Sequence, residues 1–394
     1  MKHTHKLWTL QFTAIVLMAF LFFLSLQLLT AGYPAYITDL TNNPARGGMM
    51  TTVFMIAAIL TRPFISPIML HVNLKKLSLL SLIFISITIS LGYGQESVFQ
   101  LFVLRFLHGV GFGIISTILS TVATMIIPRK RIGEGIGYYG LATSVGTSLA
   151  PMLAVSILQF FSYNLMIIIT VLLTIATVIL SFYMQVPASP AQNNAQRTFK
   201  DYVFDKSALV PCLLVTLFTV SLGGVLSFLN ELGKEAGIME SVPLFFLIIA
   251  IIMTLVRPIS GRVFDSYGHK VIIIPATLSG IIGLFLLAIT HSTLTLLMAG
   301  FFYGLAYGVM TPTLQALAVS SVSLEKQGTA NAMFFSSMDL GIALGSASLG
   351  LLATFSGYHF IYGISILSLV ALLFTYTVVF FKGKKQSELA GEAS

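Results

Sequence analysis

Four ionisable side chains stand inside long apolar runs of this 394-residue chain: Arg62, Arg105, Arg257 and Asp339. A guanidinium in an apolar helix needs an anion, a carbonyl oxygen or water as a partner. A carboxyl group in such a place can gain and lose a proton as its surroundings change. The chemistry to expect is therefore anion binding and proton transfer, provided that the surrounding helices hold these groups in the right place.

Arg105 lies in a run rich in Phe, Val and Leu, where a charge costs about 2.5–3.5 kcal/mol on the mildest insertion scale. Gly109 and Gly113 follow at i+4 and i+8 and clear one helix face for a neighbouring helix or a substrate. We expect Arg105 to contact an anion or to relay protons in a central cavity. The alternative is an arginine satisfied by backbone carbonyls or by the outer interface. His108, nearby on the same helix, could titrate near neutral pH or act as a hydrogen-bonding packing residue.

Asp339 is the only carboxylate near the middle of a long apolar run, so we expect it to be a proton-coupling site, where a proton is gained and lost. The alternative is a static tie between helices beside Gly341. Arg62 and Arg257 each precede a proline near one end of a span. Both are expected to be gate residues or substrate anchors, or else interface arginines that extend to the lipid headgroups.

The composition places these residues in a membrane. Only 9% of side chains are charged and 56% are hydrophobic, whereas soluble domains have about one quarter charged residues. The single cysteine, Cys212, excludes an internal disulfide and a cysteine-cluster metal site. The GxxxxGK[ST] motif, which binds the phosphates of ATP, is absent from the sequence. The expected energy source is therefore an ion gradient and not ATP, and no bound cofactor is expected. The few charges argue against nucleic acid as a partner and leave the lipid bilayer and a small-molecule substrate.

Apolar runs of about 20 residues can each cross the hydrocarbon as a helix. Twelve such runs occur, so the expected class is an all-α polytopic membrane protein. They are 8–30, 47–70, 75–93, 97–126, 133–158, 163–185, 208–229, 241–264, 270–290, 293–321, 328–354 and 357–382.

Basic residues predict the orientation of these spans. Sixteen Lys and Arg residues fall in the even-numbered connections and the termini, whereas only Arg46 and Lys234 fall in the odd-numbered ones. Both termini are therefore expected in the cytoplasm. Glu134, at the start of span five, is expected to complement the helix N-terminus and to pair with Arg131.

A polar stretch, residues 186–207, divides the spans into two sets of six and predicts a cytoplasmic linker between residues 1–185 and 208–394. The two sets match at a constant offset of 195 residues, as the equivalent pair Arg62-Pro63 and Arg257-Pro258 illustrates. The same offset relates Gly109 to Gly304, Gly113 to Gly308 and Gly133 to Gly328. Because six crossings separate equivalent spans, this is a parallel repeat, as in transporters that move two bundles about a central site.

Two turns between spans resemble the signature of the major facilitator superfamily, and the resemblance covers all twelve spans. The second copy matches well, at Gly261, Asp265, Gly268 and Lys270. The first copy, residues 66–76, keeps the basic end but lacks the Asp. In the family that Asp helps lock the cytoplasmic gate, so the resemblance implies that this lock is weaker here or is built otherwise.

Two further motifs refine what the resemblance implies. The Arg105 segment is similar to the family's buried-arginine motif, with His108 where Gln is usual. Span five, through Gly146 and Pro151, is similar to the motif of the antiporter branches, with alanines at 150 and 154 where glycine is preferred. The Asp339 stretch resembles bacterial drug and metabolite exporters.

The resemblance implies that spans one, four, seven and ten line the substrate cavity. Polar residues of these spans are therefore candidate substrate contacts beside Arg105 and His108, with aromatic packing as the alternative. They are Tyr33, Asn230, Tyr303, Tyr307 and Gln315.

The expected function is a monomeric, proton-coupled exporter of a small amphipathic, anionic or zwitterionic molecule, in a bacterial plasma membrane. Three intramembrane arginines against one aspartate favour the anionic substrate. One alternative is a proton-coupled uptake symporter. An intramembrane enzyme is the alternative of another class, but no His-Glu-x-x-His, paired aspartates or serine with a partner histidine supports it.

Overall fold

Twelve long helices carry the chain in the computed structural model, which describes residues 6–41, 44–186 and 203–391. No strand occurs in these residues. Single turns of 3₁₀ helix precede α5, α8 and α11. The helices are α1 (Leu10–Thr41), α2 (Pro44–His71), α3 (Leu74–Ser90), α4 (Val98–Ile126), α5 (Ile132–Phe160), α6 (Tyr163–Ser181), α7 (Lys206–Glu235), α8 (Val242–Tyr267), α9 (Lys270–Ala288), α10 (Thr293–Ser320), α11 (Gln327–Ser356) and α12 (Tyr358–Gly391).

Eleven of these helices are long and apolar enough to cross a membrane. The remaining helix, α3, is slightly shorter, with 17 residues. The predicted all-helical membrane fold is thus confirmed. The first span differs most from its prediction, since α1 continues from residue 30 to Thr41 through Pro34. A proline is tolerated inside a membrane helix because neighbouring helices and side chains satisfy the carbonyl that it frees.

Local sequence explains where several helices begin and end. The Asn73 side chain accepts a hydrogen bond from the Lys76 amide at 3.1 Å, and so caps the start of α3. Gly268 ends α8 with a φ of 75°, in the left-handed region that glycine adopts without strain. Its amide donates to the Phe264 carbonyl at 2.8 Å. This glycine of the turn motif therefore has a direct role as a helix terminator.

The chain groups into two compact units. Unit 1 comprises Met1–Ser207 together with Val319–Ser336, and unit 2 comprises Ala208–Ala318 together with Ser337–Ser394. In unit 1, α1 packs against α5 and α6, and α2 packs against α4. In unit 2, α9 packs against α12 and α8. Of the predicted linker, residues 187–202 lie outside the described residues.

Cys212 lies on α7 in unit 2 and is 2% exposed. The predicted pair at the start of α5 is also present, because the Arg131 guanidinium lies 2.6 Å from the Glu134 carboxylate. That expectation is confirmed.

Candidate functional site

A group of buried polar and aromatic side chains surrounds Arg105 in unit 1. We call it the Arg105 cluster: Thr30, Tyr33, Phe54, Arg105 and His108. The Nη2 atom of Arg105 donates to the Thr30 hydroxyl at 2.6 Å. Its Cζ atom lies 3.9 Å from the centroid of the Phe54 ring and 5.7 Å from that of Tyr33. Stacking on an aromatic face stabilises a desolvated cation.

Most polar atoms of the Arg105 cluster are unsatisfied. Among the described residues, Nε and Nη1 of Arg105, both ring nitrogens of His108 and the Tyr33 hydroxyl have no hydrogen-bond partner. The Tyr163 hydroxyl and the backbone of Thr88 lie nearby but do not meet hydrogen-bond geometry. Arg105 has no acidic partner in this part of the chain either. Because buried donors without acceptors are costly, the cluster is suited to accept an anion.

Glycines on α4 determine what approaches Arg105. A Cβ atom at Gly109 would collide with the Phe54 carbonyl, and one at Gly113 would lie 2.9 Å from the Ala58 carbonyl. The face cleared by these glycines is thus filled by helix α2, and this contact places the Phe54 ring against the guanidinium. On α5, a Cβ at Gly146 would lie 2.8 Å from the Phe20 carbonyl, so α5 approaches α1 equally closely.

A second group, which we call the Arg257 cluster, lies in unit 2: Arg257, Tyr307, Thr311 and Asp339. The Arg257 Nη2 atom lies 3.4 Å from the Thr311 hydroxyl, and its Cζ atom is 5.9 Å from the centroid of Tyr307. Tyr307 interacts electrostatically with both Arg257 and Asp339. Asp339 is 9% exposed and has polar interactions of its own. The Arg257 cluster therefore contains both a cation and a carboxylate, and Tyr307 interacts with each of them.

The other polar candidates of α10 lie close to this cluster along the helix. Gln315 follows Thr311 by one turn and is 5% exposed. Tyr303 precedes Tyr307 by one turn, and its hydroxyl lies 2.9 Å from that of Ser221 on α7. Tyr303, Tyr307, Thr311 and Gln315 therefore form one stripe along α10 at i+4 spacing.

Arg62 is buried in unit 1 between two aromatic rings. Its Cζ atom lies 5.5 Å from the centroid of Phe112 and 5.4 Å from that of Phe335. Arg62 is 1% exposed and Arg257 is 4% exposed. Neither side chain thus extends to an exposed surface of the described residues, and a gating or anchoring role for these two arginines stays a prediction.

The first copy of the turn motif contacts the start of α11 within unit 1. The Ser66 and Thr329 hydroxyls lie 2.7 Å apart, and the Asn331 amide donates to Thr124 at 3.2 Å. The Met69 side chain packs against Gly328. The hydrogen bonds described here join neutral side chains, and the weaker or differently built gate lock stays a prediction.

Several predicted residues lie in neither cluster. Asn230 is exposed on α7, and Pro151 is exposed on α5. The second turn motif lies at the α8–α9 connection, where Gly261 is buried while Asp265 and Lys270 are partly buried and make polar interactions. The candidate roles of these residues in substrate binding and gating stay predictions.

Three residues that complete the clusters were not predicted from the sequence: Thr30, Phe54 and Thr311. Thr30 and Thr311 each also bond the carbonyl four residues earlier, as hydroxyls in apolar helices commonly do. Phe54 is one of 31 phenylalanines, and no spacing distinguishes it. A hydroxyl within a turn of a cavity-lining position was the only available signal.

Comparison with known proteins agrees with this architecture. The family model described as Major Facilitator Superfamily matches residues 15–346 and 270–393. The staphylopine export protein of Staphylococcus aureus is 21% identical over 364 residues, covering 89% of this chain and 91% of that protein. The multi-drug resistance efflux pump PmrA of Streptococcus pneumoniae is 22% identical, covering 68% of this chain and 69% of that protein.

Solved structures show the same fold at low sequence identity. The human organic anion transporter MFSD10 superposes with a TM-score of 0.80 at 15% identity, covering 93% of this chain and 98% of that one. The transporter FucP, in its outward conformation, gives a TM-score of 0.71 at 14% identity, covering 94% and 99%. With its helices, its turn motifs and a family match over most of its length, the chain belongs to the Major Facilitator Superfamily of membrane transporters.

Proposed function

We propose that this protein exports a small amphipathic molecule with an anionic or zwitterionic head group, in exchange for protons. Membership of the transporter family supports transport in general, and relatives named as exporters and efflux pumps favour the outward direction. Alternating access within the family fold provides the route. The same fold could run as an uptake symporter, so direction is a part of the test.

The Arg105 cluster carries the proposal on substrate charge. Arg105 is 0% exposed and makes one hydrogen bond, while its remaining donors face no acceptor in the described residues. A substrate carboxylate or phosphate would supply both the missing acceptors and the missing counter-charge. The guanidinium fork matches such groups with two parallel hydrogen bonds. His108 and Tyr33 would bind the same head group from the side.

Asp339 is the proposed proton carrier. It is 9% exposed, and it shares Tyr307 as an electrostatic partner with Arg257, so burial acts against its charge while a cation of the same cluster acts in its favour. A carboxyl group balanced between two such influences can change protonation as the helices around it move. The proton gradient would then supply the energy, without a bound cofactor.

The excess of basic residues in the even-numbered connections supports a chain with both termini in the cytoplasm. The bacterial relatives favour a bacterial plasma membrane. A monomer is sufficient, because each chain carries both six-helix repeats.

Inside-out vesicles with an acidic interior test substrate and direction together. We expect anionic or zwitterionic amphiphiles to accumulate and to dissipate the pH gradient, whereas cationic analogues should do neither. Vesicles that contain Arg105→Lys, which keeps the charge but loses the fork, should show weaker apparent affinity. Uptake only in right-side-out vesicles would favour the symporter, and no transport of any class would remove the proposal.

The coupling role predicts a specific defect for Asp339→Asn. This variant should lose proton-driven accumulation but keep downhill exchange of labelled for unlabelled substrate, because the neutral amide mimics the protonated acid. Counterflow and pH-dye quenching in the same vesicles measure the two activities. Glu240→Gln, at an exposed acid in the turn before α8, serves as the acidic control for coupling. A full proton response in Asp339→Asn would contradict the assignment.

A further inference from the structure

Two histidines meet at one end of unit 2, outside both clusters. His291 lies in the connection between α9 and α10, and His359 is the second residue of α12. Their ring centroids are 4.8 Å apart, and the ring planes are inclined by 38°. His291 is exposed and His359 is partly exposed, so a small solute can reach both rings.

The orientation of His359 is fixed by the protein. Its Nδ1 atom lies 3.1 Å from the Ala288 carbonyl at the end of α9. Because a carbonyl can only accept, Nδ1 carries the proton in this contact and Nε2 keeps a free lone pair. A histidine that ligates a metal typically donates its other ring nitrogen to a carbonyl in this way.

The backbone beside His291 is also held on both sides. The Thr290 hydroxyl bonds the Leu286 carbonyl, which fixes the end of α9. On the other side, the Ser292 hydroxyl accepts from the Thr295 amide at 3.3 Å and caps the start of α10. Since α9 also packs against α12, the two histidines project from elements that are already in contact.

The local charge is compatible with a cation at this place. His359 is near the N-terminus of α12, whose partial positive charge would disfavour a cation. The Glu235 carboxylate, however, accepts from the Tyr358 amide at 2.7 Å and so offsets that charge.

We propose that His291 and His359 together bind a divalent transition-metal ion such as Zn²⁺, with water completing its coordination. At Zn–N distances of about 2.0–2.1 Å and a tetrahedral angle, two ligating imidazoles would have centroids about 5 Å apart. Imidazole ligands select zinc, copper or nickel over magnesium and calcium. Among the described residues, no group of three or more His, Cys, Asp or Glu side chains forms a metal site. Two protein ligands therefore make this an exchangeable site with open positions for water or an incoming ligand.

Direct Zn²⁺ titration by calorimetry, near neutral pH and with excess Mg²⁺, tests this site. The protein is purified without a polyhistidine tag and with His3 and His5 replaced by alanine, since the N-terminus offers other imidazoles. We expect one Zn²⁺ per chain with micromolar affinity, and a loss of about tenfold or more in His291→Ala and in His359→Ala. His71→Ala, which removes an exposed histidine at the end of α2, is the matched control and should bind as before.

Failure of the His3- and His5-substituted protein to bind Zn²⁺ at up to about 1 mM, a very weak affinity, would overturn the proposal without any further variant. Unchanged affinity in both His291→Ala and His359→Ala would overturn it as well. If His359→Ala does not purify as a monodisperse protein, His359→Asn keeps a side-chain donor near the Nδ1 position for Ala288 and gives the same comparison. The result is independent of the transport proposal, because binding is read without a substrate.

Discussion

The α4 face in unit 1 and the α10 face in unit 2 are built on the same frame but differ in their polar groups. The 195-residue offset relates Gly109 to Gly304 and Gly113 to Gly308. In both copies the glycines face a neighbouring helix, which is α2 in unit 1 and α8 in unit 2.

By the same sequence offset, Gly300 is the equivalent of Arg105, and Tyr303 is the equivalent of His108. In unit 2, Gly300 packs against the Phe245 ring, and the Tyr303 hydroxyl lies 2.9 Å from that of Ser221. The Tyr303 hydroxyl therefore has a hydrogen-bond partner within the protein. In unit 1, the equivalent positions keep donors that the described protein leaves without acceptors. The glycines shared by both copies of the repeat therefore provide the helix packing. Arg105 and His108, which differ from their equivalents in unit 2, make the α4 face a candidate ligand site.

Removal of the charge at Arg105 and at Arg257 should change the thermal stability of the protein in different ways. Arg105→Leu should lower transport by about 100-fold, because a buried charge that pairs with the substrate is worth several kcal/mol. Its thermal stability in detergent should stay the same or rise, since a poorly satisfied charge is lost.

Arg257→Leu is the matched control for that experiment. It removes the cation that interacts with Tyr307 and should lower both transport and the unfolding temperature. If Arg105→Leu instead unfolded earlier than Arg257→Leu, the Arg105 cluster would be structural, and the contrast between the two units would fail.

The helix contacts at Gly109 and at the equivalent Gly304 should differ in how well they tolerate an added methyl group. Gly109→Ala puts a Cβ into the Phe54 carbonyl, so α4 and α2 must separate, at a cost of about 1–3 kcal/mol. At Gly304 the nearest atom to a new Cβ is the Ile249 Cα at 3.1 Å, so Gly304→Ala should cost less. Heating followed by size-exclusion chromatography measures both variants, and equal losses would mean that the two faces are equally tight.

Two of the buried tyrosines, Tyr33 and Tyr303, should distinguish a loss of stability from a loss of substrate affinity. Tyr303→Phe loses its contact with Ser221 and should cost about 0.5–1.5 kcal/mol of stability. Tyr33→Phe removes a hydroxyl without a partner, so stability should hold while apparent substrate affinity falls. A stability loss in Tyr33→Phe as large as in Tyr303→Phe would show that its hydroxyl is satisfied by the protein.

The smallest effect is expected at the equivalent basic residues Arg131 and Lys326. Arg131 pairs locally with Glu134, whereas Lys326 pairs with the distant Asp205 at 2.8 Å. Burial would raise the pKa of Asp205, but hydrogen bonds from Lys326 and Ser207 outweigh it and hold that pKa below its ordinary value.

The stability from the Asp205–Lys326 pair is thus present above the ordinary carboxyl pKa of about 3.9 and is lost as the pH falls through the lowered value. Asp205→Asn should cost less than about 1 kcal/mol at neutral pH and should flatten the acid limb of the unfolding curve. An unaltered acid limb would remove the pair from the stability of this segment.

The sequence predicted the frame better than the contacts. Apolar runs and the constant offset predicted twelve helices and the equivalent arginines, because membrane thickness and repeat symmetry leave regular spacings. The exposure of Asn230 was not predictable, since the outer end of a span can face solvent or its neighbours. Thr30 and Phe54 reach Arg105 only through the packing of α1 and α2 on α4, and such contacts between helices leave no pattern within one segment.

Because Cys212 is buried, the native protein should react very little with thiol-labelling reagents. Its only sulfhydryl is 2% exposed, so an aqueous maleimide should leave the folded protein unmodified and react once it unfolds. One new cysteine at exposed Asn230 would then be the single reactive position. An impermeant reagent added to whole cells or to inverted vesicles would report which side of the membrane that end of α7 faces.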